Sequence, residues 1–352
     1  MKNKNAIIKT IILLILLFFC VGFNYSNKLM LMLKNHELFV HQKISSFLSP
    51  LSVKGNKIVN IHGEAVILKG VMAPDPARLN QRGLFKRDYY QGISKTGANV
   101  IRVPVHPELW INNSDYLLSY LEPIVAWAGE LGMYVVIDWH YIGNIITGAG
   151  EKMPQLKVAP KELTMRFWKQ TAFYFRKTPH VIFEIYNEPA EISEIAWQIE
   201  ATKIVKEIRK ISTQQLILVS GINYSIDLNW IEKNPVREQN LAYVAHIFPD
   251  RNHNQATYWD WSFGKIAKNY PIVITEWGFI DPDEKKTKQT YLLGNQALFG
   301  APFLKYLNEK RIGWIAAWYD DEWEAPMFWQ GYQKTTNFGK LIFKELALNN
   351  SN

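Results

Sequence analysis

Two glutamates stand where apolar, strand-like runs of this 352-residue chain come to an end. Glu188 comes just after Asn187 and the run Val181–Tyr186, and Glu276 ends the run Ile272–Glu276. The Asn-Glu-Pro sequence alone could be a helix N-terminus, with the asparagine as cap and Glu-Pro in the first turn. Two carboxyl groups held close together cannot both ionise easily, so one can donate a proton while the other is an anion. Cleavage of a glycosidic bond requires such a pair.

Polar or aromatic side chains also end other apolar runs of the chain. When parallel strands form a closed barrel, their carboxyl ends share one rim, and the active sites of such barrels lie there. A single histidine at a strand end is more often structural than functional, but several such residues at equivalent ends would converge on one place. The sequence therefore predicts that Glu188 and Glu276 are catalytic and that five other residues lie beside them at the rim, namely Arg102, His140, Asn187, His246 and Trp318.

Eight apolar runs alternate with helix-like stretches after about residue 53, which predicts a parallel sheet covered on both faces. Eight such units fit the α/β class, as a (β/α)8 TIM barrel with an N-terminal β-hairpin at its bottom. A doubly wound open sheet is the alternative, but it would need a glycine-rich turn after the first strand, where only Gly70 stands. The predicted strands are Val66–Val71, Ala98–Val103, Tyr134–Trp139, Val181–Tyr186, Leu216–Ser220, Leu241–His246, Ile272–Glu276 and Gly313–Trp318, and the predicted helices include Leu117–Leu131, Lys161–Lys177 and Glu191–Ile211.

The first residues have the pattern of a targeting segment. Lys2, Lys4 and Lys9 precede the uncharged apolar run Ile11–Phe23, which is typical of a secretory signal or an N-terminal membrane anchor. Because no small-x-small cleavage site follows, we expect an uncleaved single-pass anchor in the cell membrane, cytoplasmic at residue 1, with the catalytic domain outside. A cleaved signal and a secreted protein are the alternative. The expected domains are an anchor or signal over 1–27, a juxtamembrane stalk over 28–52 and the catalytic barrel over 53–350.

Composition argues against several other kinds of partner and site. The formal net charge is +8, but the lysines are scattered and no nucleic-acid-binding motif accompanies them, so we expect no nucleic acid partner. Cys20 is the only cysteine and lies in the apolar segment, so the exported part has no disulfide and no cysteine-based metal site. The histidines lack the paired spacing of metal ligands. We therefore expect no metal and no cofactor. We also expect the protein to be a monomer.

Several short motifs in a fixed order carry a family resemblance. They are LKGV at the first strand, IRVPV, DWH, NEP, a histidine after the sixth strand, TEWG and AAWYD, spread over about residues 53–347. With this set the chain resembles the cellulase-type glycoside hydrolases of family five. The resemblance implies a retaining double-displacement mechanism, with Glu188 as acid/base and Glu276 as nucleophile.

The resemblance also implies roles for the neighbouring residues. Arg102 would orient the nucleophile, and Asn187 would contact the 2-hydroxyl of the sugar. His140 and His246 would line the subsite of the cleaved sugar, and Trp318 would form its aromatic floor.

One position departs from the family pattern. Phe248 stands two residues after the sixth-strand histidine, where the family usually has a tyrosine whose hydroxyl contacts the nucleophile. Either another hydroxyl replaces it, for which Tyr243 and Tyr258 are candidates, or Glu276 lacks one partner.

Glu184 is a further carboxylate in the fourth apolar run. It lies four residues before Glu188, so on a strand both side chains point to the same side. We expect Glu184 to lie in the upper barrel interior and to pair with Arg102.

The tryptophans bear on the substrate. Many of them follow the predicted strands, and indole rings stack on the apolar C–H faces of sugars, so as a group they favour a polysaccharide groove. Together with the resemblance this predicts an endo-acting β-1,4-glucanase, cellulase-like, while mannan and β-1,3- or mixed-linkage glucan remain open. Two other classes compete: a surface glycan-binding protein on a decayed hydrolase scaffold, and a metal-dependent barrel hydrolase.

Overall fold

The computed structural model describes residues 48–150, 156, 158–249 and 255–348. Within these residues eight parallel strands close into a barrel, each paired with the next along the chain and the last with the first. In chain order the strands are β1 (Ser52–Lys54), β2 (Lys57–Val59), β3 (Lys69–Met72), β4 (Val100–Val105), β5 (Tyr134–Trp139), β6 (Ile142–Gly143), β7 (Val181–Glu184), β8 (Glu188–Pro189), β9 (Ile217–Ser220), β10 (Leu241–Ile247), β11 (Ile272–Trp277), β12 (Gly313–Ala317), β13 (Phe328–Trp329) and β14 (Lys334–Thr335). The barrel consists of β3, β4, β5, β7, β9, β10, β11 and β12.

Helices connect the barrel strands, so the predicted (β/α)8 TIM barrel is confirmed. The α-helices are α1 (Pro76–Gln81), α2 (Arg87–Ser94), α3 (Pro107–Ile111), α4 (Glu122–Glu130), α5 (Pro160–Phe175), α6 (Glu194–Arg209), α7 (Trp230–Lys233), α8 (Ala256–Trp259), α9 (Ala301–Lys310) and α10 (Asn337–Ala347). Short 3-10, π- or α-helical turns occupy Leu117–Leu121, Ile222–Ser225, Asp260–Gly264, Ile266–Lys268, Thr290–Leu292 and Gln296–Gly300.

The strands are apolar on both faces because both faces are covered. In β5, Val136 belongs to the cluster that fills the barrel, whereas Val135 and Ile137 belong to the cluster between strands and helices. Close strand packing is visible at Gly70 of β3, where an added Cβ would lie 1.8 Å from the carbonyl oxygen of Val100. The continuous apolar runs of the sequence are therefore explained by burial of both faces of each barrel strand, as in other all-parallel sheets.

The predicted hairpin lies below the barrel. Strands β1 and β2 pair in antiparallel fashion, and Ile58 of β2 is buried in the same cluster that fills the barrel. The backbone N–H of Val66 donates to the carbonyl of Ile58 at 2.9 Å, so Val66 extends the hairpin region. The first barrel strand consequently begins at Lys69, three residues later than the sequence indicated.

The N-terminal expectations fall outside the described part of the chain. The apolar run Ile11–Phe23 lies before residue 48, and the membrane anchor and the domain limits remain predictions. Among the described residues, no helix combines the length and the apolar character needed to cross a bilayer.

Candidate active site

Glu188 is held at the carboxyl rim of the barrel by a short strand. Strand β8 pairs in parallel with β6, with Ile142 opposite Glu188, and the Glu188 N–H donates to the carbonyl of Tyr141 at 3.0 Å. Helix α6 begins only at Glu194, after Ser193, whose side chain accepts from the backbone N–H of residue 196. The alternative interpretation of Asn-Glu-Pro as a helix N-terminus is therefore wrong, and so is the predicted start of that helix at residue 191.

Glu276 lies beside His246 on the neighbouring strand. It belongs to β11, and its backbone pairs with His246 of β10 just after a register shift in that ladder. One carboxylate oxygen of Glu188, one of Glu276 and one ring nitrogen of His246 all lie within 4.8 Å of one another. The structure thus brings the two glutamates together across the barrel mouth.

Arg102 connects the acidic groups from beneath. Its side chain is fully buried, and Nη1 donates to Oε2 of Glu276 at 2.8 Å. Nε and Nη2 donate to the two oxygens of Glu184, each at 2.8 Å, so the predicted pairing is present. Nη2 also donates to Oδ1 of Asn187 at 2.8 Å and lies 3.0 Å from Oδ2 of Asp138. Burial alone would lower the pKa of Arg102, but the surrounding carboxylates raise it, so the guanidinium stays charged.

The charge state of Glu276 is set by opposing effects. Burial raises its pKa, and the nearby Glu188 carboxyl acts in the same direction. His246 and Arg102 lower that pKa, and the hydrogen bond from Arg102 is made to the anion. On balance the pKa of Glu276 is raised, while the direct hydrogen bond from Arg102 favours its anion.

His246 contacts the second glutamate. Its Nδ1 lies 3.0 Å from Oε1 of Glu188, and its Nε2 lies 3.1 Å from Oγ1 of Thr275. Burial opposes a charged ring, yet the Glu184 and Glu188 carboxylates raise the pKa of His246 to about 9. At neutral pH the imidazole is therefore a cation beside Glu188.

His140 and Trp318 form another side of the site. His140 is buried with Nδ1 2.7 Å from Oδ2 of Asp138, and burial, with the neighbouring His106, lowers its pKa well below the usual value. The His140 ring meets the Trp318 ring edge-on at 6.0 Å, and Trp318 packs against Trp323 at 4.9 Å. A neutral histidine and an indole pair therefore border the charged groups.

Asn187 has an unused donor. Its Oδ1 accepts from Arg102, whereas its buried Nδ2 has no partner among the described residues. A buried amide N–H without an acceptor costs free energy, so such a group in a cleft suits a ligand oxygen.

The structure excludes Tyr243 as a replacement for the missing tyrosine. The Tyr243 hydroxyl accepts a hydrogen bond from the backbone N–H of Val236 at 3.1 Å. The same residue lines a cavity of about 490 Å³ together with Ser52 and Gly55 of the hairpin, at the opposite end of the barrel. The other candidate, Tyr258, packs against Trp261 with ring centroids 5.3 Å apart.

Phe248 instead neighbours a tyrosine from a later loop. Its ring meets that of Tyr291 edge-on with centroids 5.6 Å apart, and the Tyr291 hydroxyl donates to Gln289 at 2.6 Å. Burial raises the pKa of Tyr291, and the charges of Glu276 and Glu188 add to this effect. Tyr291 thus lies within electrostatic reach of both glutamates.

All seven residues expected from the sequence lie at this rim, and two more polar groups join them. Asp138 and Thr275 are fully buried, and neither was anticipated. The signal was available, because Asp138 is the one polar residue in VVIDW and Thr275 directly precedes Glu276 in IVITEW. A polar side chain at such a place points into the barrel or breaks its outer packing. One oxygen of Glu188 and one of Glu276 lie within 4.8 Å of each other, so one carboxyl group can donate a proton while the other acts as an anion.

Several known proteins with related sequences are endoglucanases. The chain is 29% identical over 246 residues to an endoglucanase of Clostridium saccharobutylicum, covering 67% of this chain and 51% of that protein. It is 25% identical over 294 residues to endoglucanase N of Pectobacterium atrosepticum, covering 78% and 58%. The chain therefore spans about half the length of the curated relatives it matches.

Solved structures and a family model agree with the fold. A β-glucanase from Saccharophagus degradans, in complex with cellotetraose, has a TM-score of 0.80 and 26% identity, covering 86% of this chain and 95% of that one. The catalytic domain of an endoglucanase of Thermobifida fusca has a TM-score of 0.69 and 18% identity, covering 84% and 96%, and shows the fold alone. The model of the cellulase family, glycosyl hydrolase family 5, matches residues 59–322, which is more than half of the chain. The chain belongs to glycosyl hydrolase family 5.

Proposed function

We propose that this chain hydrolyses a β-linked polysaccharide, a β-1,4-glucan in the first place, with retention of anomeric configuration. One observation carries the proposal: oxygens of Glu188 and Glu276 lie within 4.8 Å of each other. Retaining glycosidases hold their carboxyl groups about 5–5.5 Å apart, whereas inverting ones need about 6.5–9.5 Å to admit a water molecule. The contacts of the two carboxyl groups indicate which is the nucleophile and which is the acid/base.

Glu276 fits the nucleophile. Arg102 donates to its Oε2 and supports the anion, which would attack the anomeric carbon as the glycosidic bond breaks. Glu188, beside His246, would give its proton to the departing oxygen. The products of this step are a free sugar hydroxyl and a glycosyl ester on Glu276.

The second step reverses these roles. Glu188, now a carboxylate, would take a proton from water while the water oxygen attacks the anomeric carbon, and Glu276 would leave as a carboxylate. The two inversions together retain the configuration. Asn187 supports this chemistry because its buried Nδ2 lacks a partner and can donate to a sugar hydroxyl. Trp318, near His140, offers an apolar surface for the sugar ring.

The names of the relatives narrow the substrate class. Two relatives are endoglucanases, and the structural neighbour from Saccharophagus degradans is a β-glucanase with cellotetraose bound. These names favour glucan over mannan and internal over terminal cleavage.

A metal-dependent hydrolase is the less favoured alternative. Glu188, His246 and Glu276 offer donor atoms at metal-like separations. However, the cation Arg102 already contacts Glu276, and the raised pKa of His246 disfavours the neutral imidazole that a metal requires. The charges of the site suit proton transfer better than a divalent cation.

The test is product analysis on a panel of soluble cellulose, mannan, mixed-linkage glucan and β-1,3-glucan. We expect the strongest release of reducing sugar from a β-1,4-containing glucan, with the β-anomer formed first by NMR. Formation of the α-anomer first would contradict the retaining mechanism. Binding of the glucans without turnover by the folded protein would favour a glycan-binding protein instead.

We also propose that the chain acts as a monomer at a membrane surface. Support for the membrane location comes from the sequence, in which Lys2, Lys4 and Lys9 precede the apolar run Ile11–Phe23. We expect the full chain to sediment with membranes and to be released by detergent but not by high salt, and residues 48–352 to elute as a monomer. Recovery of the uncleaved full chain in the soluble fraction would contradict the anchor.

A further inference from the structure

Glu184 is a buried carboxylate that the mechanism above does not use. It lies at the end of β7 with no exposed surface, and both of its oxygens accept hydrogen bonds from Arg102 at 2.8 Å. The hydroxyl of Thr275 donates to Oε1 at 2.9 Å, and Nε2 of His246 lies 3.8 Å from the same oxygen. Burial opposes ionisation, but Arg102 and His246 lower the pKa of Glu184, so the group is an anion.

Thr275 fixes where the protons of His246 lie. Because Glu184 is an anion, the threonine hydroxyl uses its one hydrogen to donate to it and must accept from Nε2 of His246. Nε2 therefore carries a hydrogen. The remaining proton of the charged ring is on Nδ1, which lies 3.0 Å from Oε1 of Glu188 and donates to it. Transfer of this proton along the contact would give Glu188 the hydrogen that it delivers to a departing oxygen.

We propose that Glu184 is a positioning residue that, acting through Thr275, retains this proton in the Glu188–His246 pair and so sets the alkaline limit of hydrolysis. The inference rests on the proposed function. The contacts form a continuous path. Glu188 contacts His246, His246 contacts Thr275, and Thr275 donates to Glu184. Arg102 donates to both Glu184 and Glu276. One buried charge thus acts on both catalytic carboxyl groups.

The charges around the pair explain why a third carboxylate is needed. Arg102 is a cation beside the pair, and its charge lowers the pKa of His246. The negative charge of Glu184 offsets it, consistent with the raised pKa of His246. The other titratable groups that face the pair are Asp138 and His140 at the end of β5, Glu276 on β11 and Tyr291 in the following loop.

The first test is the pH profile of kcat/KM on cellotetraose, whose departing sugar oxygen needs the proton. Glu184→Gln keeps the size of the side chain and removes its charge, so we expect the alkaline limb to move to lower pH by about 1–3 units. Thr275→Val removes the hydroxyl link at nearly constant volume, and we expect a smaller shift in the same direction. Thr275→Ser keeps the hydroxyl, so the alkaline limb of its pH profile should lie at the wild-type pH.

The second test does not depend on turnover. Titration of the His246 imidazole by NMR in the free protein should give a pKa of about 9 for the wild type and a lower value in Glu184→Gln and Thr275→Val. If the wild type hydrolyses no glucan but these shifts occur, the proposed function fails and the proton-holding role stands. If both folded variants keep the wild-type limb and the wild-type His246 pKa, the proposal is overturned. Should Glu184→Gln fail to fold, the valine and serine variants of Thr275 decide the question in the same way.

Discussion

Replacing Glu276 with glutamine is expected to lower kcat on a soluble β-glucan by on the order of 10⁵-fold. The neutral amide cannot form the glycosyl ester. Arg102 keeps its hydrogen bonds to Glu184 and its contact with Asp138, so the variant should fold. Initial rates of reducing-sugar release, with melting temperature as the folding measure, check this expectation.

A smaller variant and an external nucleophile sharpen the test. Glu276→Ala leaves a space in which azide can attack the anomeric carbon, and the product should be an α-glycosyl azide because only one inversion occurs. Glu309→Gln is the matched control, since its side chain is 63% exposed on α9, outside the barrel. Retention of about 1% or more of wild-type activity in folded Glu276→Gln would assign the nucleophile to another group.

The barrel could be foreseen because its signal is repeated. Each strand is apolar on both faces and is followed by a helical segment, so several independent patterns agree on one architecture. The start of the first strand was misplaced because Val66 is as β-prone as the residues of β3. The hydrogen bond from its N–H to Ile58, eight residues earlier, assigns it to the hairpin region. Residue types alone do not indicate which of the two possible partners Val66 takes.

The site could be foreseen only in part, and for a similar reason. Glu188 and Glu276 follow apolar runs, and polar residues at strand ends are visible in a sequence. Thr275 and Asp138 lie inside strands and depend on which face is turned inward. Tyr291 comes from a loop 43 residues beyond Phe248, and only the folded chain brings their rings to 5.6 Å. Contacts between distant loops are set by tertiary packing, which residue spacing does not encode.

Replacing Glu188 with alanine is expected to slow the hydrolysis of substrates with poor leaving groups much more than the first step on substrates with good ones. General acid catalysis contributes about 10²–10⁴-fold, so kcat/KM on polysaccharide should fall by this factor. A dinitrophenyl cellobioside needs no protonation, so its first step should remain fast while the second slows and a burst of phenolate appears. Stopped-flow absorbance on the dinitrophenyl and polysaccharide substrates, with Glu309→Gln again as control, measures both effects.

Azide distinguishes the roles of the two glutamates by stereochemistry. In Glu188→Ala the ester on Glu276 still forms, and azide would attack it from the face that Glu188 has left, giving a β-glycosyl azide. Glu276→Ala should give the α-azide, because no ester precedes the attack. Opposite products from two residues whose oxygens lie within 4.8 Å would show that they work on opposite faces of one sugar. If the α-product came from Glu188→Ala and the β-product from Glu276→Ala, the roles would be exchanged and Arg102 would orient the acid rather than the nucleophile.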